Sequence, residues 1–120
     1  MPSTIRPVIV TPDLDRLVTF YSGLLGASEI ERFPAEGPPF YLGLRAGDSE
    51  LGLVANPDIA LDGAGRMLLS LEVADVDALL PRVEELGGRV KGPSNDMPWG
   101  QRVAHVSDPD GNSVNLTQVL

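Results

Sequence analysis

The strongest constraint on this chain is a pattern that occurs twice. Asp13-Leu14-Asp15 is matched by Asp75-Val76-Asp77, Leu17 by Leu79, Val18 by Leu80, Tyr21 by Val83, Leu24 by Leu86 and Gly26 by Gly88, each 62 positions after its counterpart. A period of about half the chain marks a duplicated unit rather than local periodicity. In each copy an aspartate opens a segment whose apolar residues recur every three or four positions. That spacing predicts a helix with one core-facing stripe, closed by a glycine. An apolar run rich in β-branched or leucine side chains precedes each helix, over residues 4–10 and 67–73, and predicts a strand running into the helix start. Pro81 breaks the second copy's regularity. A proline in a helix interior removes one backbone bond and costs about 3 kcal/mol, so a kink or a short first turn is expected there.

The remainder of each copy reads as strands. In the first, residues 28–32 form a candidate strand, 33–39 a Pro- and Gly-bearing loop, and 40–45 with 50–54 a hairpin around Ala46-Gly47-Asp48-Ser49. Residues 56–65 carry two glycines and no usable periodicity, and are the candidate linker. In the second, residues 96–102 form an exposed loop carrying the only tryptophan, Trp99, before strands at 103–107 and 113–116. Between those strands lies the tight turn Asp108-Pro109-Asp110-Gly111-Asn112. The repeating unit is therefore strand, helix, three strands, and the class is α+β. The chain is expected to be a single domain over 1–120, with βαβββ modules at about 1–55 and 66–120. One helix covers only one face of each sheet, so the other must curve around a cavity or meet a second copy.

Charge narrows the partners. Nine basic and seventeen acidic side chains give a net charge of -8, which argues against nucleic acid or an anionic membrane surface. With no cysteine there is no disulfide framework, thiolate metal site or cysteine nucleophile. No apolar stretch approaches the roughly 20 residues of a membrane span, and residues 1–6 do not open like a secretory leader. A soluble, cytoplasmic protein is expected.

Pro98-Trp99-Gly100 followed by Asp108-Pro109-Asp110-Gly111-Asn112 resembles the C-terminal signature of bleomycin-resistance proteins, within the vicinal-oxygen-chelate (glyoxalase/bleomycin resistance/dioxygenase) superfamily. The turn is shared across the superfamily, and the Pro-Trp-Gly loop leans toward its drug-binding branch. The resemblance implies a cupped mixed sheet made by the two modules, and a homodimer that shares strands. Strand alternation predicts that the cup is lined by Arg6, Val8, Leu68, Ser70, Glu72, Ser113, Asn115 and Thr117. Metal-dependent members hold their ion through histidines and glutamates, and the motifs put Arg6, Leu68, Asn115 and Gly52 at those places. None is a good ligand, so no metal or other cofactor is expected.

The expected function is therefore binding without covalent chemistry: sequestration of a planar or aromatic natural product such as a bleomycin-like, mitomycin-like or enediyne antibiotic. Candidate ligand contacts are Trp99, Phe33, Phe40, Tyr41, Met97, Arg102, Leu68, Ser70 and Asn115, with no catalytic residue. His105, the sole histidine, reads first as a structural strand residue, since nothing near it in sequence completes a nucleophile and base pair. Two alternatives stand beside this: a glyoxalase-like lyase, isomerase or dioxygenase with an altered site, and a small-molecule carrier.

Overall fold

The computed structural model describes residues 5–61 and 67–120. The start of the first expected strand at Thr4, and residues 62–66 of the expected linker, lie outside the described residues. The chain divides into two compact units, Met1–Ala60 and Leu61–Leu120.

The first unit runs β1 (Val8–Thr11), α1 (Leu14–Leu25), β2 (Ser28–Phe33), β3 (Tyr41–Ala46) and β4 (Ser49–Ala55). Its sheet has the order β1-β4-β3-β2, with β1 parallel to β4 and the other pairs antiparallel. The Asp13 side chain caps α1 by accepting from the Arg16 N–H at 3.1 Å, as the sequence predicts. Gly26 ends it at φ 64°, a left-handed conformation costly to residues with a Cβ. The helical stripe lands inward: Leu14, Leu17, Phe20, Tyr21 and Leu24 are buried against Leu42, Leu44 and Leu53 of the sheet. The faces of β3 and β4 thus divide, apolar toward α1 and mixed on the open side.

The second unit repeats the plan, with two short strands, both paired to the long strand that follows them, where the first unit has β2 alone after its helix. It contains β5 (Leu69–Glu72), α2 (Val76–Glu85), β6 (Arg89–Val90), β7 (Asn95–Asp96), β8 (Gln101–Ser107) and β9 (Ser113–Val119). The sheet order is β5-β9-β8-β6, with β7 also paired to β8 and β5 parallel to β9. Asp75 caps α2 through the Ala78 N–H at 3.2 Å. The helix continues through Pro81 to Glu85 rather than stopping at a first turn, with Pro81 solvent-exposed. The left-handed stop falls on Gly87, one residue before the position that matches Gly26. Asp96, expected to open the loop, instead joins Asn95 in the short strand β7.

These are the α+β class and the βαβββ plan that the repeat predicts. The strands hydrogen-bond in two mixed sheets, one in each unit. No described helix is long and apolar enough to cross a membrane.

Candidate functional site

The open face of the second unit carries a polar row that sheet register assembles. His105 lies opposite Asn115 across β8 and β9, and Asn115 lies opposite Ser70 across β9 and β5. On the other side the Lys91 N–H donates to the His105 carbonyl at 3.0 Å, extending the β6 pairing by one residue. Lys91, His105, Asn115 and Ser70 therefore stand in line across the sheet. Their side chains are tied to one another and to the next row: His105 Nδ1 is 2.6 Å from Asn115 Oδ1, and Lys91 Nζ donates to Ser113 Oγ at 3.2 Å. An open groove of about 560 Å³ runs over this face, lined by Leu68, Lys91, Asn95, His105, Ser113 and Asn115 among others. Leu68 and Asn115 were sequence-level candidates, and Ser70 is their neighbour in the row. Lys91 and Asn95 were missed, and His105, read as a structural residue, lines the groove. Lone polar residues on separate segments leave no local signal. Only register brings them together.

The open face of the first unit is built differently. Arg6 Nη2 donates to Glu50 Oε2 at 2.6 Å and Arg6 Nη1 to Glu31 Oε1 at 3.4 Å, while Arg45 Nη2 reaches Glu50 Oε1 at 3.0 Å. The Arg6 hydrogen bond, then that of Arg45, holds the Glu50 carboxyl below the ordinary glutamate range. Tyr41 lies across Gly52: a Cβ built on Gly52 would stand 3.0 Å from the Tyr41 hydroxyl and 3.1 Å from Val8 Cγ2. Side chains are thus excluded at Gly52 because the tyrosine uses the space. Phe33 and Phe40 stay 57% and 59% exposed, and the Phe40 N–H donates to the Phe33 carbonyl at 2.8 Å.

Glu50 gives a pH signature with a definite sign. Its folded pKa is depressed, so the stability that this network contributes is present above the ordinary glutamate pKa and lost as pH falls through the lowered folded value. The effect lies wholly on the acid side. In Arg6→Ala the Glu50 carboxyl, followed by NMR titration, is expected to titrate closer to the ordinary glutamate value; an unchanged midpoint would assign the depression elsewhere.

In the loop before β8, Trp99 is 68% exposed, yet its indole N–H donates to Gln101 Oε1 at 2.9 Å. Two backbone bonds close the same loop, Met97 N–H to Gln101 O at 2.7 Å and Gly100 N–H to Met97 O at 3.0 Å. The ring is therefore displayed and also held. Arg102 is placed on the face of β8 away from His105, where its guanidinium pairs with Asp96 at 2.7 Å and Asp77 at 3.2 Å. It ties the Trp99 loop and β7 to α2, and its hydrogen bond keeps the Asp96 carboxyl below the usual aspartate range.

The places at which the resemblance implies metal ligands offer poor ones. Arg6 is ion-paired to Glu50, Leu68 and Gly52 have no donor atom, and the Asn115 carboxamide oxygen is engaged by His105. Among the described residues no three His, Cys, Asp or Glu side chains are arranged to hold an ion. This donor set does not fit a divalent metal.

Two units built on one strand-helix-strand plan, each with an open sheet face, define the class of fold. The chain belongs to the Glyoxalase/Bleomycin resistance protein/Dioxygenase superfamily, whose model matches residues 5–116. TioX from Micromonospora sp. ML1 is 25% identical with a TM-score of 0.76, covering 99% of this chain and 100% of its own. The bleomycin resistance determinant encoded on transposon Tn5 is 22% identical with a TM-score of 0.70, covering 98% of each chain. The fosfomycin resistance protein FosX from Mesorhizobium loti is 16% identical with a TM-score of 0.76, covering 100% of this chain and 94% of its own. The last two are likenesses of fold.

Proposed function

We propose that this protein is an antibiotic-binding resistance protein that sequesters a planar, aromatic natural product without covalent chemistry or a cofactor. The observation that carries the reading is Trp99: a ring 68% exposed on a loop fixed by its own indole hydrogen bond and two backbone bonds. A large apolar ring held still in water has lost its freedom in advance, so a flat ligand can stack on it with little further ordering. Phe33, Phe40, Tyr41 and Met97 are assigned as further apolar contacts, and Leu68, Ser70 and Asn115 as groups that orient the ligand. Arg102 acts through the loop that it anchors. The donor set at the expected metal positions supports binding over metal-assisted chemistry.

The working form is a homodimer of single-domain subunits in the cytoplasm. Each sheet has helical cover on one face, and the uncovered faces carry half-exposed apolar residues such as Val8, Val10 and Leu68, which a second copy would shield. Sedimentation at micromolar concentration is expected to report a dimer, and a persistent monomer removes this part of the reading.

Tryptophan fluorescence tests the binding directly, since the single indole is assigned to the site. Titration with bleomycin and mitomycin C is expected to change its emission. Trp99→Ala, followed by calorimetry, is expected to weaken binding by about 1–3 kcal/mol with the fold intact. Unchanged affinity would refute the role of Trp99. Tightly bound stoichiometric metal together with lyase activity on a hemithioacetal would overturn the whole reading.

A further inference from the structure

The polar row in the groove of the second unit has a definite proton arrangement. A carboxamide oxygen can only accept a hydrogen bond, so the 2.6 Å contact with Asn115 Oδ1 places the ring proton of His105 on Nδ1. In the neutral imidazole the lone pair is then at Nε2, which has no partner among the described residues. Lys91, the next side chain in the row, uses one ammonium proton on Ser113 Oγ and keeps two. A nitrogen base oriented by Asn115 therefore shares its row with an ammonium held on Ser113 in an open groove.

Few groups satisfy both. A carboxylate arrives already deprotonated, so it suits Lys91 but gives the Nε2 lone pair no proton. A neutral amide N–H suits Nε2 and leaves the ammonium without an anion. An acidic hydroxyl serves the two together, because it yields a proton to one and becomes the counter-ion of the other. The remaining charged groups on this face are Arg89, one row away beside Ser107, and Glu72, one row away on the opposite side beside Thr117. Asp96 and Arg102 pair with each other on the other face of β8, and Glu84 of α2 accepts the Val90 N–H there. Cations outnumber acids around the row, which favours a new negative charge.

We propose that the groove binds the hydroxyl of an acidic phenol, accepts its proton on His105 Nε2 and holds the phenolate beside Lys91. The O–H bond breaks with its electron pair staying on oxygen, and an N–H bond forms at Nε2. The resulting imidazolium keeps its Nδ1–H on Asn115 Oδ1, and no other reactant is needed. Asn115 is the positioning residue, since its acceptor fixes which nitrogen is the base. Half-exposed Leu68 and Pro93 both line the groove and supply apolar surface for the ring. This inference rests on the reading of the protein as a binder of aromatic natural products, and narrows the ligand to one that carries an acidic phenol.

4-Nitrophenol is a suitable probe, because its ionised form is coloured and its ionisation falls near neutral pH. Equilibrium dialysis at a series of pH values, with absorbance read on the bound fraction, gives its ionisation when bound. Binding is expected to raise the acid dissociation constant about tenfold or more, with Lys91→Met reducing the effect several-fold and His105→Gln abolishing it. Both side chains are exposed, and circular dichroism checks that each variant is folded. 4-Nitroanisole, the same ring without an acidic proton, is the control and is expected to bind at least tenfold more weakly. If both compounds bind equally, or if nitrophenol binds with unchanged ionisation or keeps its shift in His105→Gln, the phenol assignment falls while the aromatic-binding reading stands. If neither compound binds and bleomycin and mitomycin C leave Trp99 unaffected, both fall.

Discussion

Phe20→Ala is expected to lower the free energy of unfolding by about 3–5 kcal/mol, measured by urea denaturation. Phe20 and Tyr21 are both fully buried, with ring centroids 5.0 Å apart in an edge-to-face arrangement at 90°. Truncating Phe20 removes the transfer energy of a whole aromatic ring and leaves Tyr21, Leu17 and Leu24 facing a cavity that the helix cannot close without moving. The edge-to-face contact adds about 1 kcal/mol beyond area alone. A loss below 1 kcal/mol would mean that α1 does not pack on its sheet as described.

Asp108→Ala is expected to cost about 3 kcal/mol by the same measurement. Asp108 is 2% exposed, and Oδ1 accepts from the Asp110 and Asn112 N–H groups, each at 2.9 Å, while Oδ2 accepts from Asn112 Nδ2 at 2.8 Å. The turn is also closed by backbone bonds between Asp108 and Asn112 and between Gly111 and Asp108, with Gly111 at φ 86°. Removing the carboxylate leaves buried donors unmet, and bonds to a charged acceptor are the stronger kind. Asp108→Asn, which keeps one acceptor oxygen, is expected to recover part of the loss. The consequence reaches the groove, because this turn sets the β8–β9 register that puts His105 opposite Asn115. Recovery of the full wild-type stability in Asp108→Ala would show that the turn's backbone bonds suffice alone.

The elements that a few adjacent residues determine could be read before the structure. The two aspartate caps, the glycine stop of α1, the β3–β4 hairpin and the 108–112 turn each have a local physical cause, and the repeat fixed their order. Strand alternation also separated Leu69 and Leu71 from Ser70 and Glu72. What stayed hidden depends on pairing at a distance. β6 and β7 have two residues each, too short for any period to show. The groove joins Lys91 to His105 and Asn115 only through β6–β8–β9 pairing, and the seat of Tyr41 needs Gly43 to oppose Gly52 across β3 and β4. Arg102 is a candidate ligand contact in the sequence, and its ion pairs to Asp77 and Asp96, which need α2 and β7 brought beside β8, could not be read there. Of the kink or short first turn expected at Pro81, the short turn is not what forms: α2 runs through an exposed Pro81 and packs through Val76 and Val83.

Each unit seals its own interior with its own helix, so the outward faces are released from the task of folding. One copy spent that freedom on a network of opposite charges around Glu50, and the other on a row of polar side chains across its sheet. A new chemical preference could evolve here by changing a handful of surface positions in half the chain.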